Sequence, residues 1–225
     1  MRINKYLAAS GVCSRREADE LIKKGKVTID GQIAVLGDDV GAKAVVEVDG
    51  KVVQLEEKKI YIAFHKPYGV ITTTDKNSPN NVMDYIDVPQ RVFPVGRLDV
   101  KSSGLLILTN DGDLVNKLLK AKYKKEKEYL VTVDREISNE DLEKLKNGGY
   151  FLDGKKVRTA KVERKGSNKF KIIIIQGIKR QIRRMCERLG YKVEVLRRVR
   201  VAGVSLGDLK RGKWRILTEE EKKSL

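Results

Sequence analysis

Apolar and polar positions divide this 225-residue chain into many short strands and a few amphipathic helices. One continuous apolar run, Leu105–Leu108, follows Gly104 and precedes the turn-forming residues 110–112, which predicts a buried strand. Arg97 and Asp99 come just before it, so we expect both on a loop that this strand holds in place. An aspartate in a loop more often bonds its own backbone than acts on a ligand, so the rest of the chain has to decide its role.

The first part of the chain predicts a small helical module. Apolar positions over residues 3–9 indicate a short helix, and Ser14-Arg15-Arg16-Glu17 is a capping box that opens a second one. Asp30-Gly31 and Asp49-Gly50 are strong signals for hairpin turns. We therefore predict a first domain over residues 1–57, with two helices packed on a small sheet.

The remainder, residues 58–225, predicts a larger second domain after the charged joint at residues 56–59. Helices are interspersed irregularly, for example over residues 182–189. Runs of strands with helices interspersed irregularly favour an α+β fold with a mostly antiparallel sheet flanked by helices. Strands are predicted at several places, including residues 60–64, 70–74, 157–162, 193–196 and 201–206.

Positive charge changes the picture most, because 48 Lys and Arg against 31 Asp and Glu give a formal net charge of +17. Such an excess indicates a polyanionic partner, most plausibly nucleic acid. Residues 58–225 carry +18, while residues 1–57 carry −1. Within the first domain, residues 1–26 carry +4, which concentrates the cations on the two helices. Arg15 and Arg16 oppose the dipole of the helix they start, as expected of residues kept for a ligand.

Several classes of protein are disfavoured by what the sequence lacks. No apolar run approaches the roughly 18 residues of a membrane-spanning helix. Cys13 and Cys186 are far apart, and His65 is the single histidine, so a metal site is improbable. We expect a cytoplasmic, reduced protein without metal, in which any nucleophilic chemistry falls to a carboxylate.

A second informative stretch, residues 176–185, has four cations within six residues at the start of a predicted helix. Ile182, Met185 and Cys186 define its buried face, so Arg183 and Arg184 point in different directions and one of them can reach inward toward a carboxylate. The alternative is a helix that only faces nucleic acid, because basic clusters most often bind phosphate.

Tyr129 has two possible roles on its predicted strand. A tyrosine in a strand is usually part of the core, and the alternative is a surface on which a displaced base stacks. The lysine-rich residues 117–127 are interpreted as a surface that faces phosphate, and His65 and both cysteines as packing residues.

The first domain resembles the S4 RNA-binding domain. The similar residues are Arg2–Leu7, Gly11, Ser14–Ala18, Leu21-Ile22, Gly25–Val27 and Asp30-Gly31. S4 domains dock structured RNA through their pair of helices. The resemblance therefore implies RNA contacts by Arg15, Arg16 and Lys26.

The whole chain resembles the pseudouridine synthases of ribosomal RNA that carry an S4 domain in front. Each shared motif is weak alone, but their order and spacing together are specific. The motifs are Lys66-Pro67-Tyr68-Gly69, Gly96-Arg97-Leu98-Asp99, Ser103-Gly104-Leu105, Leu108–Gly112, Lys127-Glu128-Tyr129 and Arg180–Met185.

The resemblance implies a role for each matched residue. Asp99 is expected to be the nucleophile that acts on uridine without cofactor, and Arg183 its ion-pair partner. Tyr129 is expected to stack on the uracil, and Arg97 to fill the gap left by the flipped nucleotide. Arg180, Gln181 and Arg184 are expected to contact RNA. Ser102 stands where the family usually has threonine, which keeps the hydroxyl.

Within the family, the chain is most similar to the F type, which modifies the 23S RNA of the large subunit. The residues concerned are Phe93–Gly96, Gln176-Gly177 and Met185–Glu187. The alternatives are the branches that act on other large-subunit sites or on 16S RNA, and F-type members can also act on a tRNA anticodon. We expect a monomer that binds ribosomal RNA and no membrane. The alternative from another functional class is a ribosomal RNA-binding or assembly factor without catalytic activity. A different residue type at position 99, 129 or 183, in place of Asp99, Tyr129 or Arg183, would have favoured this alternative.

Overall fold

A computed structural model of the chain describes residues 1–56, 58–75, 77–119 and 125–225. Glu57, where we predict the first domain to end, lies outside the described residues. Backbone contacts divide the chain into two compact units. The first comprises Met1–Ile60, Val88–Val92 and Asn110–Gly112, and the second comprises Tyr61–Asp87, Phe93–Thr109 and Asp113–Leu225.

The first unit has the two helices and small antiparallel sheet that the sequence predicts. The elements are α1 (Ile3–Ala9), α2 (Arg15–Lys23), β1 (Val27–Ile29), β2 (Gln32–Ile33), β3 (Val46–Val48) and β4 (Lys51–Val53). In the sheet the strands follow the order β2-β1-β3-β4. The core of this unit is formed by Ile3, Leu7, Ala18, Ile22 and Val27, which are all buried.

Local signals place these elements. The capping box is present: the Ser14 hydroxyl accepts from the Glu17 N–H at 3.2 Å, and the Glu17 carboxylate accepts from the Ser14 N–H at 2.6 Å. Both predicted hairpin turns have positive φ at both central residues, for example 50° at Asp30 and 80° at Gly31. These are the angles that two-residue type I′ turns require.

The second unit is built around one large sheet. Its strands are β5 (Tyr61–Lys66), β6 (Phe93–Pro94), β7 (Ser103–Thr109), β8 (Lys127–Val133), β11 (Lys161–Arg164), β12 (Lys169–Ile174), β13 (Val193–Val201), β14 (Val204–Ser205) and β15 (Trp214–Ile216). A separate hairpin consists of β9 (Phe151–Leu152) and β10 (Lys155–Lys156). The helices are α3 (Gly112–Leu119), α4 (Asn139–Asn147), α5 (Gln181–Arg188) and α6 (Glu219–Ser224), with a 3-10 turn at Val82–Tyr85.

The strand order of this sheet is β11-β12-β8-β13-β7-β5-β15, with β6 on β7 and β14 on β13. Every pairing is antiparallel except that of β13 with β7, which is parallel. The predicted α+β class with a mostly antiparallel sheet is therefore confirmed. All seven residues of β7 are buried, which also confirms the buried strand predicted from Leu105–Leu108.

Three strand predictions were wrong in extent. Residues 70–74 form only an isolated bridge between Ile71 and Asn81, and the Thr72 hydroxyl donates to the Leu98 carbonyl. The strand predicted over residues 157–162 is β11, which begins at Lys161. In place of the two separate strands predicted at residues 193–196 and 201–206, the structure has one nine-residue strand, β13, followed by the short strand β14. Charged residues at 197–200 concealed this continuity.

The middle of the sheet carries the core. Ala63, Leu105, Ile107, Val201 and Val204 form one buried apolar cluster. Among the described residues, no helix is both long and apolar enough to span a lipid bilayer. Strands β7, β8 and β13 and the start of α5 surround the site described next.

Candidate active site

The loop that carries Asp99 is held by bonds on its N-terminal side. Gly96 has φ of 78°, a turn that favours glycine. The hydroxyl of Thr72 donates to the Leu98 carbonyl at 2.8 Å, and the Leu98 N–H donates back to that hydroxyl at 3.3 Å. Both residues are buried, so one side chain satisfies both polar groups of the Leu98 backbone.

Two buried cations hold the other side of this loop. Lys66 is fully buried, and its Nζ donates to the carbonyls of Ser102 at 2.8 Å and Pro67 at 2.9 Å. Arg183 donates to the carbonyl of Lys101 and, with its other terminal nitrogen, to the Val193 carbonyl at 2.8 Å. Asp99 therefore lies on a loop whose two ends are both fixed, as a precise reacting group requires.

Because Gly104 has no side chain, the strand after the loop can lie close to the backbone of Arg198. A Cβ at position 104 would lie 2.1 Å from the Arg198 carbonyl oxygen, and Gly104 has φ of 107°. Arg198 is itself buried and donates from Nε to the Leu105 carbonyl at 2.7 Å. The close approach of these backbones explains why glycine occurs inside a buried strand.

Asp99 opens into a cavity of about 690 Å³, which is within the size range of small-molecule sites. Asp99 is half-buried, whereas Tyr129 is 8% exposed. Asp99, Tyr129, Arg97, Arg180 and Gln181, all predicted from sequence, line this one cavity. Its other lining residues include Ser102, Lys127, Ile174, Gly177–Lys179, Leu196 and Arg198.

Burial shifts the cations around the cavity away from their ordinary behaviour. It lowers the pKa of Lys66 to about 8, although the Asp99 carboxylate opposes this shift. Burial, followed by repulsion from Arg198, also lowers the pKa of Lys127. Positive charges kept in a partly desolvated cavity attract an anionic ligand more strongly than they would in water.

The apolar face of α5 predicts that one of Arg183 and Arg184 points inward, and Arg183 is the buried one, at 5% exposed. Burial and repulsion from Arg180 lower the pKa of its guanidinium, while attraction to Asp99 opposes the shift. In the described part of the chain, the terminal nitrogens of Arg183 donate to the Lys101 and Val193 carbonyls and to the Ser102 hydroxyl, and form no ion pair with Asp99. Arg183 Nε is buried and has no hydrogen-bond partner there. The expected ion pair stays a prediction.

The remaining residues predicted on α5 differ in their contacts. Arg180, at a left-handed φ of 52°, bonds Glu187 at 3.0 Å. Arg184 makes a two-pronged pair with Asp153 at 2.7 and 2.9 Å. Gln181 is 3% exposed, and its carbonyl oxygen accepts from the Ile178 N–H. Only Arg180 among them presents an exposed side chain at the cavity.

In the first unit, the residues predicted to contact RNA lie on the surface. Arg15 and Arg16 are exposed on the first turn of α2, and Arg15 donates to the Asn4 side chain at 3.2 Å. Lys26 pairs with Asp49 at 3.0 Å.

Sequence reasoning gave no role at the site to three of its cations, Lys66, Lys127 and Arg198, although Lys66 and Lys127 lie in the shared motifs. Arg198 had a detectable signal, since a charged residue at an inward position of a strand is rare without a function. Lys66 ends a strand in which five of six residues are buried. Lys127 was assigned to the phosphate-facing lysines but lines the cavity. Lys120, Lys122 and Lys124 of that lysine-rich stretch lie outside the described residues.

Comparison with known families gives two matches. The RNA pseudouridylate synthase family matches residues 60–188, and the S4 domain matches residues 1–46. A solved structure described as a pseudouridylate synthase has a TM-score of 0.74 at 26% identity, and the match covers 100% of this chain and 99% of that one.

Curated relatives extend the similarity along the chain. The dual-specificity RNA pseudouridine synthase RluF of Escherichia coli K12 is 45% identical over 98% of this chain and 77% of the relative. That of Salmonella typhi is 46% identical over 98% and 76%. The ribosomal large subunit pseudouridine synthase B of Bacillus subtilis is 38% identical over 100% and 95%. The similarity therefore includes both units.

Proposed function

The chain belongs to the RNA pseudouridine synthase family, whose enzymes isomerise uridine to pseudouridine in RNA, and we propose that its substrate is a uridine of 23S ribosomal RNA. One supporting observation is the name of the Bacillus subtilis relative, which refers to the large ribosomal subunit. A second RNA substrate is also proposed, because the relatives at 45% and 46% identity are named dual-specificity enzymes.

The reaction moves the ribose carbon C1′ from N1 to C5 of uracil. The C1′–N1 bond breaks, a C1′–C5 bond forms, the proton on C5 is lost and N1 gains a proton. The product is an isomer of the substrate and the reaction is redox-neutral as a whole, so the proposed step needs no external oxidant or reductant. Asp99 acts as the nucleophile in this proposal, and the bonds that fix its loop aim the carboxylate into the cavity.

Other residues hold the displaced base and the RNA. Tyr129 stacks on the uracil while it turns, and Arg97, which is exposed at the cavity, fills the space that the flipped nucleotide leaves. Arg183 orients the Asp99 loop through the Lys101 carbonyl and contributes positive charge. Arg180, Gln181 and Arg184 contact RNA in the same proposal.

The first unit is proposed to bind ribosomal RNA separately. Arg15, Arg16 and Lys26 supply exposed positive charge, and phosphate contacts of this kind position a protein on RNA without reading its sequence. We propose a cytoplasmic monomer that meets its RNA there, with the division between the two domains near residue 57.

The observation that carries this proposal is the position of Asp99 on a doubly anchored loop at a cavity shared with Tyr129. Asp99→Asn keeps the size of the side chain and removes its nucleophilic oxygen anion. We expect it to abolish tritium release from ribosomal RNA labelled at uridine C5, while RNA binding survives. Asp208→Asn changes an exposed carboxylate and is the matched control. Retained turnover in Asp99→Asn would refute the role of Asp99.

The choice of RNA needs a separate experiment. Pseudouridines should be mapped in ribosomal RNA and tRNA from cells with and without this protein. A position in 23S RNA that is lost in the deletion and restored by the gene supports the proposed substrate. A loss confined to 16S RNA contradicts it.

A further inference from the structure

The β9–β10 hairpin exposes an aromatic side chain. Phe151 is 64% exposed, whereas Phe64 and Phe170 are fully buried. The next residue, Leu152, points the other way and is buried, so the hairpin is anchored on one face and presents Phe151 on the other. One exposed apolar side chain is common on protein surfaces, so its surroundings have to show whether it has a partner.

Its surroundings are strongly basic. Phe151 pairs with Lys156 across the hairpin, which places the ring and the ammonium on the same face. Lys155 and Arg158 are also exposed. The acidic residue of the turn, Asp153, is neutralised by Arg184. An aromatic ring beside a cation suits a single-stranded nucleic acid, since a base stacks on the ring and a phosphate meets the cation.

Two connections hold the hairpin at the rim of the Asp99 cavity. Arg184 bonds Asp153 with both terminal nitrogens, and one of them also lies 3.5 Å from the carbonyl of Lys179, a cavity residue. Gln176 donates to the Lys156 carbonyl at 3.2 Å and accepts from the Arg158 N–H at 2.5 Å. The residue after Gln176 is Gly177, which lines the cavity.

The turn itself has regular hairpin geometry. Asp153 and Gly154 have φ of 48° and 69°, as a type I′ turn requires. At its base, the guanidinium of Arg188 lies 4.9 Å from the ring centre of Tyr150. A preorganised surface loses little conformational entropy on binding.

We propose that Phe151 and Lys156 form a docking surface for the single-stranded RNA next to the target uridine. Phe151 stacks on an unpaired base, and Lys156 contacts the adjoining phosphate. Because the hairpin is fixed at the cavity rim, this contact selects RNAs in which a neighbour of the target is unpaired. The inference rests on the proposed function for its biological substrate. RNA binding by the surface is measurable without turnover.

Phe151→Ala and Phe151→Trp are the first test, with Val195→Ala, which shortens another exposed apolar residue, as the control. The probe is a single-stranded RNA oligonucleotide with one 2-aminopurine, whose fluorescence falls when it stacks. We expect Phe151→Ala to weaken binding about fivefold or more and to remove the quenching. Phe151→Trp and Val195→Ala should retain both. Equal affinity and quenching for Phe151→Ala and the unchanged protein overturn the proposal.

Lys156→Met tests the phosphate contact against Lys169→Met, which removes an exposed lysine from β12. Only Lys156→Met should reduce the slope of log affinity against log salt concentration, by about 0.7 for one phosphate of single-stranded RNA. Identical slopes for the two variants contradict a phosphate contact at Lys156.

Measuring turnover distinguishes a failure of this inference from a failure of the proposed function on which it rests. With the 23S fragment that contains the mapped uridine, Phe151→Ala should raise KM by the factor found for binding. If the unchanged protein makes no pseudouridine but Phe151→Ala still binds more weakly, the proposed function fails and the surface stands. If Phe151→Ala alters only self-association, measured by sedimentation, the surface binds a second copy and the RNA proposal fails.

Discussion

The buried ammonium of Lys66 donates to the carbonyl of Ser102 at 2.8 Å, across 36 positions of the sequence. A lysine with no exposed surface thus fixes the loop that presents Asp99. Arg183 bonds the neighbouring carbonyl of Lys101. Positive side chains serve here as structural donors to backbone as well as a source of positive potential at the cavity.

The charge of Lys66 predicts a dependence of stability on pH. Its pKa falls from 10.5 to about 8 in the folded protein. Below pH 8 the folded and unfolded chains both hold the proton, and the cost of burying the charge is fully present. Between pH 8 and 10.5 the unfolded chain holds more protons, so the contribution of this group to stability rises with pH, by about 3 kcal/mol at most.

Urea unfolding of the unchanged protein and Lys66→Met across this pH range measures the effect. The difference in free energy of unfolding between the two should shift in favour of the unchanged protein as pH rises. Parallel curves would mean that Lys66 titrates normally when folded. At pH 7 the variant also reports the two lost bonds to the Ser102 and Pro67 carbonyls.

Gly104→Ala should prevent stable folding. The added Cβ would overlap the Arg198 backbone, and φ of 107° is unfavourable for alanine, so we expect a loss above about 4 kcal/mol in the free energy of unfolding. Gly112→Ala is the control, because among the described residues no atom beyond its chain neighbours and its own helix backbone lies within 4 Å of the added Cβ, and its φ is not left-handed. Circular dichroism during thermal unfolding distinguishes the two variants. Equal melting temperatures would contradict the close approach of β7 to the Arg198 backbone described above.

Arg183→Lys should lower kcat more than RNA affinity. Lysine keeps the charge but lacks the fork that bonds the Lys101 and Val193 carbonyls together. We expect kcat to fall about 100-fold, equivalent to about 2.7 kcal/mol, and the Kd for RNA to change little. Arg184→Lys, which alters a residue paired with Asp153, is the comparison. Equal losses of kcat and affinity in Arg183→Lys would make Arg183 a binding residue only.

Exposed arginines of the first unit should carry part of the salt dependence of RNA binding. Replacing Arg15 and Arg16 by alanine together should reduce the slope of log affinity against log salt by about 1.4 to 1.8, since each phosphate contact contributes about 0.7 to 0.9. Lys51→Ala, at an exposed position of β4, should leave the slope unchanged. Filter binding over a range of salt concentrations measures this, and identical slopes would place the RNA contacts elsewhere.

Local signals made much of the fold predictable. Ser14 and Ser138 start their helices as caps, and both predicted Asp-Gly turns of the first unit adopt the expected angles. These features depend on neighbours in sequence, so the sequence contains nearly all the information they need.

The contacts of the site were less predictable, because they join residues far apart in sequence. Helix periodicity predicted that one of Arg183 and Arg184 points inward but not which one, and the bonds of Arg183 to the Val193 and Lys101 carbonyls depend on how strands meet. The pairing of Arg184 with Asp153 likewise needs the hairpin turn in place. Strand β13 was divided in two because buried Arg198 resembles a loop residue in sequence.

The long span of the bonds around Asp99 has a consequence for synthesis of the protein. Its loop is tied to Arg183 across 82 positions, and the following strand is tied to Arg198 across 93. Contacts of such separation close large loops and form late in folding. A nascent chain that has not yet reached residue 198 therefore lacks part of the contacts that hold its reactive carboxylate in place. Activity should appear abruptly when the last strands join the sheet, so turnover reports completed folding.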